Sequence, residues 1–137
     1  MLKEAAKHYY IDLNRSCSEA VFLAANEVYH LGATEESFKL IGAFSGGVCC
    51  GSVCGAVAGG AAALALKIGD YGVYAHENLP MRQTIKAFVT EVQEKMGSEL
   101  CRQLKPQYHT AETRCLACVL KVCELLEGYM EAASQPQ

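Results

Sequence analysis

The chain has 137 residues, 51% of them apolar and 20% charged, with no tryptophan. That length holds a single domain with a real core and argues against a second full one, and the apolar content excludes a disordered chain. Its 12 basic and 15 acidic residues give a net charge of −3 without any basic block, which argues against nucleic acid as a partner, because phosphate backbones demand clustered Lys and Arg.

The first predicted helix runs through Ala5, Ala6, Tyr9 and Leu13 and breaks near Asn14. Met1 to Arg15 carries Lys3, Glu4, Lys7, His8 and Asp12 and lacks the apolar segment of a secretory signal. The expected setting is therefore the cytoplasm, where clustered cysteines more often serve metal, cofactor or redox chemistry than structural staples. From Ser16 the pattern is the clearest: Cys17, Ala20, Val21, Ala24, Ala25 and Val28 form a helical stripe, Ser16 and Glu19 match a capping box, and Gly32 supplies a stop. Thr34 then caps a helix through Phe38, Ile41 and Phe44.

Ser45 to Ser52 reads as a Gly-rich loop leading into a helix that ends near Ile68, with Ser52 as cap and Gly69 as stop. Gly51, Gly55, Gly59 and Ala63 are spaced by four. On a helix they would form a groove without side chains, open to another backbone or to a cofactor. Gly51, Gly55 and Gly59 are thus the cofactor-binding candidates, with tight helix packing as the alternative. No charge falls between Gly42 and Leu66, a length that would cross a bilayer. Seven of the 12 glycines lie in that window, however, and Gly and Ala repay little of the cost of carrying backbone into lipid, so a membrane span is not expected.

After a connection containing Tyr71, Tyr74 and His76, Pro80 opens a helix whose stripe is Met81, Ile85, Phe88, Val89, Val92 and Met96, closed by Gly97. Ser98 caps a short turn carrying Cys101 and Leu104, which Pro106 ends. The last helix starts near Thr110 or Thr113 and runs to about Met130, turning Leu116, Val119, Leu120, Cys123, Leu126 and Met130 inward. No segment alternates with the period of a strand. The expected fold is an all-α, single-domain bundle of about five to six helices over residues 1–137, its ordered core spanning about 3–130.

Eight cysteines need a reason. Cys17, Cys54, Cys101 and Cys115 each fall in a predicted first helical turn, where free N–H groups and the positive dipole end favour thiolate, the form that attacks and ligates. Arg15, Arg102 and Arg114 lie within two residues of three of them and would act in the same direction. Cys123 sits on the apolar stripe and reads as core filler. Cys49, Cys50 and Cys118 stay open, and Cys115-Leu-Ala-Cys118 is a CxxC, a spacing for a redox disulfide or for two metal ligands. Val119 follows Cys118, so no CxxCH is present and covalent haem is not expected. No zinc-ribbon spacing, dinucleotide-binding glycine motif, P-loop or nucleophile elbow occurs. His8, His30, His76 and His109 are scattered and read as surface or packing residues.

At these same residues the sequence resembles the C_GCAxxG_C_C family of small redox-active proteins. Asn14-Arg-Ser-Cys17-Ser-Glu-Ala-Val21 is similar to that family's first-cysteine helix start, and Phe44-Ser-Gly-Gly47 to its Gly-rich approach. Cys54-Gly-Ala-Val-Ala-Gly59 carries the CGAxxG motif, while Met96-Gly-Ser-Glu-Leu-Cys101-Arg and Arg114-Cys115 match the third and fourth sites. The resemblance spans about residues 3–128 and places the four family cysteines on Cys17, Cys54, Cys101 and Cys115. It implies a redox role, a link to transport proteins through neighbouring genes, and an iron–sulfur cluster of the kind held by a similar domain in split-Soret cytochromes. Cys49, Cys50, Cys118 and Cys123 are additions to the minimal pattern.

Three functional expectations follow. In the first, Cys17, Cys54, Cys101 and Cys115 bind an iron–sulfur cluster for electron transfer, with Cys50 and Cys118 as further ligand candidates and an electron donor or acceptor as partner. The second is metal-free thiol–disulfide exchange through Cys115 and Cys118 or through Cys50 and Cys54. The third is a structural or sensing zinc module, since four thiolates also suit tetrahedral zinc. The glycine groove and apolar helices would also allow a homodimer.

Overall fold

The computed structural model describes residues 1–134; within them all regular structure is helical, seven α-helices packed as one domain. Helix α1 (Leu2–Lys7) passes directly into a π turn over His8–Asp12, and the left-handed Asn14, at φ 52°, ends the segment where the sequence breaks. Helix α2 (Cys17–Tyr29) begins at the full capping box: the Ser16 hydroxyl accepts from the Glu19 N–H while the Glu19 carboxylate accepts from the Ser16 N–H. Its end falls earlier than expected, because His30 adopts the left-handed cap conformation (φ 54°) and Gly32 lies beyond it in the connection. Helix α3 (Glu35–Ile41) is capped by Thr34 as its sequence predicts.

Helix α4 (Gly55–Ile68) is the centre of the bundle and packs on α2 together with α5 (Leu79–Met96) and α7 (Leu116–Ser134). Two glycines one turn apart let the α2 backbone come close. A Cβ on Gly59 would lie 2.6 Å from the Ser18 carbonyl oxygen, and one on Gly55 would lie 3.2 Å from the Ser18 nitrogen. On another face of α4, a Cβ on Gly60 would press the Phe88 ring at 2.9 Å. Val21, Ala24, Val57, Leu64, Phe88, Val92, Val119 and Leu126 fill the space between these helices and are fully or almost fully buried.

Three further expected boundaries move. Helix α4 starts after Cys54 rather than at Ser52, because Ser52 and its neighbours join a two-residue antiparallel bridge to the segment before α6 (Cys101–Tyr108). Helix α6 continues past Pro106, which costs one backbone bond to exposed Arg102; the His109 N–H still closes the end on the Lys105 carbonyl at 2.9 Å. Helix α7 starts at Leu116 because Thr110 and Arg114 exchange two backbone bonds of 2.8 and 2.9 Å, and the Thr110 hydroxyl caps Thr113 within that turn instead of opening the helix. Seven helices replace the five or six expected, since the short segment around Cys101 is a helix in full. Among the described residues, no helix is long and apolar enough to cross a membrane.

Candidate functional site

The four first-turn cysteines converge at one end of the bundle. Cys17 is the first residue of α2, Cys54 is the residue on which α4 is capped, Cys101 opens α6 and Cys115 immediately precedes α7. Together with Cys118, in the first turn of α7, they line a single cavity of about 30 Å³ closed by Gly55, Ala56, Leu104, Lys105 and Val119.

Each thiol is fixed by its surroundings. Gly55 has no side chain because a Cβ there would collide with the Cys17 sulfur. Gly47, in the left-handed region at φ 69°, likewise makes room for Cys101, whose Cβ would stand 2.7 Å from an added methyl. The bridge beside α6 ties two cysteines together directly: the Cys54 N–H donates to the Glu99 carbonyl and the Cys101 N–H to the Ser52 carbonyl, each at 2.7 Å. Cys115 is held from α1's side of the bundle, its N–H donating to the Tyr10 hydroxyl at 3.0 Å. Arg114 packs 3.9 Å above the Tyr10 ring and donates to the Tyr10 carbonyl at 2.6 Å. Tyr10 and Lys105 are the members of this assembly that sequence reasoning missed, because nothing local marks a tyrosine or a lysine as a neighbour of residues far along the chain.

The sulfurs are not electrostatically equivalent. The Cys54 thiol is lowered, first by its contact with the Cys118 thiol, then, against the effect of burial, by the Val57 and Ala56 N–H groups at the start of α4. The two sulfurs lie 3.9 Å apart, and Cys118 is pushed far upward by the same contact and by burial. Cys17, Cys101 and Cys115 are also raised, burial being the largest cause and the neighbouring cysteines adding to it. The expected shift of all four first-turn thiols toward thiolate therefore holds for Cys54 alone. Elsewhere the apolar pocket outweighs the helix ends.

The adjacent arginines do not act on the thiols as expected. Arg15 pairs with Glu19 at 3.1 Å, Arg102 donates to the Gly51 carbonyl at 3.4 Å, and Arg114 is engaged with Tyr10. The cation that does reach the pocket is Lys105, which lowers Cys101 and Cys115 in part.

Other sequence candidates lie outside the cavity. Cys49 and Cys50 are exposed on the Gly47–Gly51 turn, their thiols directed at the Ala43 and Gly47 carbonyls at 3.8 and 3.6 Å. Cys123 is buried further along α7, where burial pushes it up to about 12. Gly51 falls outside α4, left-handed at φ 77° beside Arg102, so the four-residue glycine spacing does not form one helical groove. Gly59 serves α2 packing, while Gly55 both seats Cys17 and lines the cavity.

Soft sulfur donors from four segments suit a thiolate-ligated metal or cluster. Among the described residues, however, no three Cys, His, Asp or Glu side chains are drawn together as a coordination shell. No curated protein and no solved structure matches the chain. A family model described as "Putative redox-active protein (C_GCAxxG_C_C)" matches residues 15–129, a span that contains all five pocket cysteines and most of the chain. The chain belongs to the C_GCAxxG_C_C family.

Proposed function

We propose that the pocket is a redox centre in which Cys17, Cys54, Cys101 and Cys115 hold an iron–sulfur cluster that carries electrons. The observation that supports this is the convergence of sulfur from four separate segments on one apolar cavity. Gly55 is required by the Cys17 sulfur, and Gly47 by the Ser52 backbone together with Cys101. Exchange between two thiols would need no such construction. Thiolates are the ligands of iron–sulfur clusters, and when bound the cluster would supply one-electron chemistry.

The chain's own residues would tune and shield the site. N–H groups of Gly46 and Ser18 face the Cys17 sulfur, and those of Val57 and Ala56 face Cys54. Hydrogen bonds to sulfur and burial are among the protein's means of setting a cluster's potential. Leu104 and Val119 keep water away from the buried side, while Cys101 and Cys115 are only partly buried. The volume of about 30 Å³ is that of a single small guest, so a cluster seats only with movement of the thiol side chains.

Iron and acid-labile sulfide per chain, measured on untagged protein purified without oxygen, test the proposal. Matching iron and sulfide, both lost together with the visible absorbance in Cys54→Ala, are the expected result. Zinc alone would replace it with a structural or sensing module, and a metal-free chain with fewer than eight free thiols would replace it with thiol–disulfide exchange.

A further inference from the structure

Cys118 stands outside the four-cysteine pattern yet makes a direct sulfur contact within the pocket. Its Sγ lies 3.9 Å from that of Cys54, and the two residues are 3% and 6% exposed. They come from the start of α4 and the first turn of α7, 64 positions apart, so a bond between them is free of the strain of joining neighbours on one helix. A disulfide requires the sulfurs to approach from 3.9 Å to about 2.05 Å, so its formation calls for movement of the two side chains. The adjoining cavity of about 30 Å³ admits a guest of roughly the size of water and excludes a peptide disulfide. Lys105 supplies a cation in the cavity wall.

We propose that this pocket reduces hydrogen peroxide, with Cys54 as the thiol that attacks it and Cys118 as the thiol that resolves the product. The inference rests on the pocket being the working centre but not on what metal it holds. The Cys54 sulfur attacks one peroxide oxygen, the O–O bond breaks, and the departing hydroxide takes up a proton as water, leaving a sulfenic acid on Cys54. Cys118 then attacks that sulfur. An S–S bond forms, the S–O bond breaks, and a second water leaves. Two thiols and one peroxide become one disulfide and two waters, the two electrons passing from sulfur to oxygen. Because Cys54 also belongs to the proposed ligand set, the disulfide withdraws one ligand and makes metal loading sensitive to oxidant.

The test uses the full chain, reduced and treated with a chelator under argon, then given one equivalent of hydrogen peroxide. Differential alkylation and peptide mapping should show two of the eight thiols lost and a single cross-linked pair joining Cys54 to Cys118. In Cys118→Ala the Cys54 sulfenic acid should persist and be captured by dimedone. Cys123→Ala, which alters a buried cysteine away from the pocket, should still form the cross-link. The inference is overturned if Cys54 and Cys118 remain alkylatable while Cys49 or Cys50 oxidises, or if Cys118→Ala leaves no trappable sulfenic acid. Iron content of the untreated chain is scored separately. Iron without the cross-link refutes peroxide reduction alone, and the cross-link without iron refutes the cluster alone.

Discussion

Gly59 and Gly128 both lie inside helices, and helix propensity alone assigns both the same response to alanine, a gain of about 0.5–1 kcal/mol. The structure gives them opposite signs. A Cβ on Gly128 meets nothing within 4 Å, so Gly128→Ala should stabilise by about that amount. A Cβ on Gly59 would stand 2.6 Å from the Ser18 carbonyl oxygen and 3.3 Å from two further α2 backbone atoms, none of which can rotate away. Overpacking of this kind costs about 1–3 kcal/mol and more where backbone must shift, so Gly59→Ala should lose about 1–2 kcal/mol after the propensity gain is offset. An unfolding entropy of about 2.1 cal/mol/K per residue makes each kcal/mol worth roughly 3–4 °C in a chain of this length. The two variants should therefore differ in melting temperature by about 5–10 °C, followed by circular dichroism in reductant. Shifts of the same sign, or a Gly59→Ala protein as stable as the parent, would refute the account of α2 resting directly on α4.

Three further outcomes can be checked on the same material. Tyr10→Phe removes the acceptor of the Cys115 N–H and should cost about 1–3 kcal/mol in urea unfolding, with faster alkylation of Cys115. Ser16→Ala removes the hydroxyl that accepts from Glu19 and should cost about 1 kcal/mol, read as a lower urea midpoint. Cys123 is raised to about 12 by burial and then by Glu127, so it favours the folded state fully below its ordinary value near 9, and that contribution is lost as pH rises from 9 to 12. Cys123→Ala should accordingly flatten the alkaline limb of the stability profile relative to the parent, while an unchanged slope would contradict the assignment.

How far the sequence could be read depended on the range of the interaction. Ser16 with Glu19 and Thr34 with Ser37 complete their hydrogen bonds within a few residues, so those helix starts are written locally and appear where expected. Gly69 and Gly97 mark helix ends for the same reason. Ser52 does not cap α4 because its carbonyl is taken by Cys101, 49 positions on, a long-range commitment no local pattern announces. The four cysteines at helix starts are visible in the spacing, and the CxxC marks Cys118 as a neighbour of Cys115, but the pairing of Cys118 with Cys54 is written nowhere locally. Cys118 reaches Cys54 only because α4 and α7 pack side by side. The arginines show the converse error, since adjacency in sequence placed cations beside thiols while folding sent each one to another partner.

Five sulfurs around so small and apolar a cavity pose a problem of charge. Each thiolate that forms there loses hydration and repels the others, and burial together with neighbouring sulfur accounts for the rise of Cys17, Cys101 and Cys115. Cys54 escapes only because Cys118 and the opening N–H groups of α4 stabilise its charge. The cavity reaches neutrality by keeping its protons, by exchanging them for a metal-bound group, or by joining two sulfurs covalently. Proton retention leaves the thiols inert as ligands and nucleophiles, so chemistry at this site begins where one of the other two routes takes over. Cys54 is the residue common to both: the sulfur of the pocket whose charge its neighbours favour, a member of the four-segment set, and the neighbour of the additional thiol. A choice between metal and disulfide at Cys54 is thus set by the local field rather than by the number of cysteines, which is why substitutions at Cys54 and Cys118 separate the two chemistries when the total thiol count does not.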